Sequence, residues 1–229
     1  MMNELQKIES LKNIALFSSL TSDELNAIRG KIVMRNYKKN ETILYEENTN
    51  EYMYIILDGE TKVIQTTSEG KDIMVTMHQT GDFFGELSLI DGKTAPAAVL
   101  ATRDSSAALI SKKDFYSILY NQNKVLKNLL LIMCARLRES QQKIKMLNFN
   151  NAAQRIKMLF LMLSETFGEK KAEGTLLQIR LIHQDIADMT GLSRETVTRI
   201  IDKLRKNGEI EILKNRHILL KPEFESLQL

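Results

Sequence analysis

Between His183 and Leu204 the chain reads His-Gln-Asp-Ile-Ala-Asp-Met-Thr-Gly-Leu-Ser-Arg-Glu-Thr-Val-Thr-Arg-Ile-Ile-Asp-Lys-Leu. Its residue types are those that recognise nucleic acid. Arginine donates in a planar fork to guanine, and glutamate accepts from cytosine. Ser193 is a natural N-cap for a helix opening at Arg194. Val197, Ile200, Ile201 and Leu204 recur at helical spacing and predict its buried side, leaving Arg194, Glu195, Thr198 and Arg199 exposed on the first turns. From Leu192 to Asn207 five basic residues (Arg194, Arg199, Lys203, Arg205, Lys206) stand against two acidic ones (Glu195, Asp202), a local charge of +3. A basic face at a helix N-terminus suits the major groove. A charged helix can equally be no more than a solvated surface, but here it coincides with a preceding helix, a glycine turn at Gly191, and a hairpin pattern after it. That hairpin runs Glu209–Leu213, then Lys214, Asn215 and Arg216, then His217–Leu220.

Other reactive side chains are few. A single cysteine, Cys134, can close no intramolecular disulfide and builds no zinc or iron–sulfur site, so no metal is expected. Cys134 reads as a buried, inert thiol and the eleven methionines as core fillers. The three histidines, His78, His183 and His217, are too scattered to converge on a metal, which argues against a catalytic cupin; no enzyme is expected. His78 reads as a polar side chain near a strand end rather than a haem ligand.

Those residues need elements to hold them. Leu16, Phe17, Leu20, Leu25 and Ile28 follow helical spacing, and Thr21-Ser22-Asp23-Glu24 reads as a helix start with acids on the positive end of the dipole. From Ile32 to Ser111 the texture changes to short Val, Ile, Thr and Tyr runs (Tyr52–Leu57, Thr61–Thr67, Ile73–Met77, Ala107–Ile110) separated by Asp58-Gly59, Glu69-Gly70, Gly81-Asp82 and Asp91-Gly92, which predicts an antiparallel barrel or jelly roll. After Lys112, Leu126, Leu130, Met133, Leu137, Ser140, Ile144 and Leu147 alternate spacings of four and three. This is the stripe of a heptad repeat and predicts a long helix with either a self-associating seam or a face packed on its own barrel. Ile156, Leu159, Phe160 and Leu163 continue in helical spacing, Gly168–Gly174 reads as a polar loop, and a second domain begins near Asn150.

Composition agrees with a two-domain chain. The 229 residues, 43% hydrophobic and 27% charged with ten glycines and two prolines, can build packed cores and exclude collagen-like and disordered classes. The longest apolar run, Leu129–Ala135, is far short of a bilayer, and no apolar signal core opens the chain, so neither membrane nor secretion is expected and the cytoplasm is. A net charge of +3 names no partner.

Leu192-Ser-Arg-Glu-Thr-Val-Thr-Arg resembles the recognition helix of the cyclic-AMP receptor / fumarate-nitrate regulator (CRP/FNR) family of bacterial transcription factors. Gly81-Asp-Phe-Phe-Gly-Glu-Leu-Ser-Leu resembles the cyclic-nucleotide cassette of the same family, and the two motifs stand in the expected order over nearly the whole chain. The resemblance implies an α+β chain: an N-terminal antiparallel jelly-roll sensor of cyclic-nucleotide-binding type over 1–111, a long dimerisation helix and hinge over 112–149, and a C-terminal winged helix-turn-helix over 150–229. It implies that Arg194, Glu195 and Arg199 read base edges, that Gln184, Ser193 and Thr196 hold phosphates, and that Lys203 meets phosphate or solvent. The seam of Leu126, Leu130, Met133, Leu137, Ile144 and Leu147 becomes a homodimer interface. The partners implied are double-stranded DNA with TGTGA-like half-sites and RNA polymerase, recruited or blocked.

The implied effector pocket comprises Gly85, Glu86, Leu87, Ala95, Pro96, Ser140 and Gln141, and departs from the family. Where the cassette supplies an arginine and then a serine or alanine with a free amide, this chain has Ala95 and Pro96, and a proline has no N–H to offer. Ser140 is a conservative match to a family threonine, whereas Gln141 replaces a serine. Lys93 lies close in sequence to the missing arginine but lacks its planar fork. No cofactor is expected. The missing donors argue against cyclic AMP, leaving a different small molecule or none; the alternatives are a cyclic-nucleotide-responsive regulator and a nucleotide-binding regulatory module without DNA readout. Residues 1–20 carry no cysteine cluster, which excludes an iron–sulfur sensor of the fumarate-nitrate type.

Overall fold

The structure is a computed structural model; it describes residues 11–70, 72–213 and 216–225. The chain divides into two compact units, 1–135 and 136–229.

In the first unit, strands β1 (Ile32–Tyr37), β8 (Ser105–Ser111), β3 (Tyr52–Asp58) and β6 (Phe83–Phe84) pair in the order β1-β8-β3-β6. Strands β2 (Thr42–Leu44), β7 (Ala98–Ala101), β4 (Glu60–Thr66) and β5 (Asp72–Gln79) pair in the order β2-β7-β4-β5. All of these pairings are antiparallel, giving the two-sheet jelly roll that the short-strand texture predicts. Successive side chains on a strand face opposite ways, and two cores result. Tyr54, Ile56, Ala107 and Leu109 join Tyr37, Phe84, Val99 and Ala101 in one cluster. Their neighbours Met53, Ile55, Ala108 and Ile110 join a second cluster with Leu16, Phe17, Leu25 and Ile28. Gly59, Gly70, Gly81 and Gly92, in the expected turns, all take positive φ.

The helical preface forms as its pattern predicts. A 3-10 turn at Ala15–Phe17 precedes helix α1 (Ser22–Arg29), which opens on a capping box. Glu24 N donates to Thr21 Oγ1 at 3.3 Å and Thr21 N to Glu24 Oε2 at 2.7 Å. The Thr21 amide and then Lys124, which donates to both Glu24 oxygens at 3.0 Å, hold the Glu24 carboxyl below the usual range.

The long helix is broken in two. Helix α3 (Lys112–Asn121) ends where Gln122 leaves the helical region at φ −134° and ψ 81°. Helix α4 (Asn123–Leu147) then carries every position of the heptad stripe. The break falls in Asn121-Gln122-Asn123, whose side chains compete with the backbone; Asn121 Nδ2 already donates to Ser117 O at 2.7 Å. Val125, Leu129 and, in part, Ile132 and Met133 pack on the first unit's own helical core. Leu126, Leu130, Leu137, Ile144 and Leu147 stay exposed. Cys134, expected to be buried, is exposed as well, because it lies on the outward side of α4 between Leu130 and Leu137.

In the second unit, helix α5 (Ala152–Phe167) buries Ile156, Leu159, Phe160 and Leu163. The segment Gly168–Gly174, expected as a polar loop, is instead a hairpin of β9 (Gly168–Lys171) and β10 (Gly174–Leu177). All four β9 residues are exposed, so the strand has no hydrophobic alternation to betray it. Helices α6 (His183–Thr190) and α7 (Arg194–Lys206) follow, and then β11 (Ile210–Ile212) and β12 (Ile218–Leu220), in a sheet ordered β11-β12-β10-β9. Lys214 and Asn215 of the expected wing lie outside the described residues. No helix among the described residues is long and apolar enough to cross a membrane.

Candidate nucleic-acid interface

The turn between α6 and α7 depends on Gly191. At φ 64° and ψ 33° it occupies the left-handed region that ends a helix cheaply only with glycine, and its amide donates to Ala187 O. The expected cap is present: Ser193 Oγ accepts from Thr196 N at 3.2 Å and lies 3.0 Å from Thr196 Oγ1. Helix α7 buries Val197, Ile200, Ile201 and Leu204. The opposite side presents Arg194, Glu195, Thr198, Arg199, Asp202, Lys203, Lys206 and Asn207 along one shallow open groove. The exposed and buried sides are thus those that the periodicity predicts.

The electrostatics leave this face ready for a ligand. Arg194 and Arg199 have no ion-pair partner within 4 Å among the described residues, whereas Arg205 is held 3.3 Å from Asp202 Oδ1. The Glu195 carboxyl is pushed below the ordinary range, first by its own backbone amide and then by Ser193, so it is an anion and an acceptor at neutral pH. Two unengaged guanidiniums and a carboxylate on the first two turns of a capped helix match what guanine and cytosine edges require.

Gln184, expected to hold phosphate, stands on the first turn of α6 and donates to Asp188 Oδ1 at 2.7 Å. Thr196 is half-buried and Lys203 exposed on α7. Two further residues escape sequence reading. Arg155 on α5 donates from Nε to Phe149 O at 2.7 Å and from a terminal nitrogen to Thr190 O at 3.3 Å, tying the end of α4 to the end of α6. His183 Nδ1 lies 2.8 Å from Thr198 Oγ1. The first has no local sequence signal; the second needs two residues fifteen apart to be brought together by the turn.

The Gly81–Leu89 segment is built to hold its backbone close. Gly85 sits at φ 85°, and a Cβ there would lie 2.7 Å from Tyr52 O and 2.8 Å from Asn50 Nδ2, which donates to both Tyr52 O and Gly85 O. Gly85 caps the short helix α2 (Glu86–Asp91), in which Glu86 and Ser88 are buried and Leu87 is exposed. The donor side differs. Ala95 is 1% exposed, and its amide is already spent on Asn48 O at 2.9 Å. Pro96 has no amide proton, and its carbonyl accepts from Gln65 Nε2 at 2.9 Å. Lys93 is exposed in the loop between. Ser140 and Gln141 stand exposed on α4, Ser140 Oγ donating to Arg136 O at 2.9 Å. His78 stacks on Phe84 at 5.9 Å, as a packed aromatic would.

A jelly-roll domain followed in one chain by a winged helix-turn-helix defines the class of DNA-binding transcription regulators. Known proteins agree. The family profile of the cyclic nucleotide-binding domain matches residues 34–122, and that of the Crp-like helix-turn-helix domain matches 154–224. The chain is 30% identical over 178 residues to a cAMP-activated global transcriptional regulator CRP of Escherichia coli, covering 77% of this chain and 84% of that one. It is 26% identical over 202 residues to a cyclic AMP receptor protein of Thermus thermophilus, covering 88% and 90%. Its fold is similar to that of FixK2 from Bradyrhizobium japonicum, with a TM-score of 0.74 at 24% identity over 86% of this chain and 98% of that one. The protein belongs to the CRP/FNR family of transcription factors.

Proposed function

We propose that the protein is a homodimer that reads a TGTGA-like palindrome through α7, without needing cyclic AMP, and recruits or blocks RNA polymerase from that site. Residues 1–111 serve as the sensor, 112–149 as the dimer helix and hinge, and 150–229 as the reading domain. The observation that carries the reading is the exposed Arg194, Glu195 and Arg199 on the capped N-terminal turns of α7. Gln184, Ser193, Thr196 and Lys203 supply phosphate contacts at its flanks, which set register and affinity rather than sequence. The homodimer is supported by the apolar stripe of α4, whose Leu126, Leu130, Leu137, Ile144 and Leu147 stand exposed.

Independence from cyclic AMP is supported by the cassette. A phosphate entering beside Gly85 would find neither an arginine nor a free amide at Ala95 and Pro96. An effector shifts an equilibrium only by its differential affinity for two states, and a pocket without these donors offers little. Calorimetry is expected to give no micromolar heat with cyclic AMP, and a gel-shift series no change in DNA affinity. Micromolar binding with about a tenfold gain, the usual size of an allosteric coupling, would overturn this.

Restoring the pair provides the converse test. Ala95→Arg with Pro96→Ser should bring cyclic-nucleotide affinity into calorimetric range. Ala95 packs between the sheets, so the new guanidinium would be buried unpaired until a phosphate arrives, and the variant should melt lower without ligand than with it. No gain in affinity would place the loss elsewhere, with Gln141 the first position to revert.

A further inference from the structure

The contact between His183 and Thr198 joins the first residue of α6 to the middle of the reading helix. Thr198 lines the groove with Arg194, Glu195, Arg199 and Asp202. Its hydroxyl donates to Arg194 O, one turn back, at 2.9 Å. A hydroxyl carries one proton, so toward His183 Nδ1, at 2.8 Å, it can only accept. The proton of that bond therefore sits on Nδ1, and the Thr198 oxygen is engaged on both sides by protein.

This matters because threonine in a helix divides between two rotamers, its hydroxyl reaching back to a carbonyl of the previous turn in either. The second bond, from a side chain on another helix, favours the one in which Oγ1 faces α6. With the oxygen so occupied, the group left to meet the groove is the methyl. An apolar methyl on a reading helix is a partner for the C5-methyl of thymine.

We infer that His183 is a positioning residue for sequence readout: by holding the Thr198 hydroxyl against α6, it makes Thr198 an apolar reader of one thymine in each half-site. The inference rests on the proposed reading of DNA by α7 and adds a specificity element to it.

The test uses deoxyuridine, which differs from thymidine only by that methyl. A site is first selected from a random duplex library with the full-length protein, and each thymine of its half-site is then replaced in turn. One position should weaken wild-type binding about fourfold per half-site, the worth of one buried methyl group. Thr198→Ser, which keeps the hydroxyl and loses the methyl, should abolish that sensitivity, whereas Thr198→Val should keep it. His183→Ala should reduce it to about twofold as the second rotamer fills. His183→Asn, whose amide nitrogen reaches the place of Nδ1, should restore it. In the Thr198→Val background His183→Ala should have no further effect on it, whereas a mere phosphate contact by His183 would weaken all duplexes alike in either background.

The inference is overturned if no thymine is sensitive in the wild-type protein, if the sensitivity survives Thr198→Ser, or if His183→Ala leaves it intact. Failure of the wild-type protein to prefer the selected site over random duplex is a separate result. It would remove the reading face itself and this inference with it.

Discussion

If the protein is the homodimer proposed above, the Leu137→Lys, Ile144→Lys double variant is expected to sediment as a folded monomer at concentrations where the wild-type protein sediments as a dimer. Both residues are 61% exposed on α4, one heptad apart on one face, and neither is among the buried core residues. Folding should therefore be untouched, with helix content as in the wild type. Association would have to bury two ammonium groups from each chain without partners. Each uncompensated buried charge costs about 3–5 kcal/mol, more than a seam of a few apolar side chains returns. DNA affinity should fall with it, because a monomer engages one half-site and loses the gain from linking two. An intact dimer would move the interface away from Leu126, Leu130, Leu137, Ile144 and Leu147. Met133 serves that seam only in part, since it also packs on the core of its own unit.

Arg199→Ala should cost about 1–3 kcal/mol per half-site on the cognate palindrome, hence about 2–6 kcal/mol for a dimer, and little on random DNA. The asymmetry follows from where the residue stands. Arg199 lines the groove without an ion-pair partner among the described residues, so its fork is available to a base edge. Lys203→Ala, by contrast, should weaken all sequences about equally and lower the salt dependence by about one unit of slope per half-site, hence about two for a dimer, as a phosphate contact does. Quantitative gel shifts on both duplexes at two salt concentrations separate the cases. Equal losses on both duplexes for Arg199→Ala would make it a phosphate contact.

How much of this was legible in the residues depended on whether the signal was local. The helix start at Thr21–Glu24, the cap at Ser193 and the buried row Val197, Ile200, Ile201 and Leu204 each rest on contacts within about four residues, and each is found as the spacing predicts. The glycine turns are legible for the same reason: a positive φ is a demand that one residue type meets cheaply. The break at Gln122 was not, because no glycine or proline marks it. The β9 strand was not, because Gly-Glu-Lys-Lys has no apolar face and owes its conformation to pairing with β10. Cys134 was misplaced because the side of α4 that its unit covers is set by a distant core of Leu16, Phe17, Phe115 and Ile118. The commitment of the Ala95 amide to Asn48, and of the Thr198 hydroxyl to His183, needs residues far apart in the chain to meet. Sequence could say which donor Pro96 lacks; only the fold says that its neighbour's is spent.

The most direct test of the account is an anisotropy titration of the full-length protein, with no ligand added, against its selected palindrome and a random duplex of equal length at one near-physiological salt concentration. The account predicts a preference of about a thousandfold or more for the palindrome, within the range of specific over non-specific binding, and no change on adding cyclic AMP. Equal affinity for the two duplexes, or a preference that emerges only with cyclic AMP present, would contradict it.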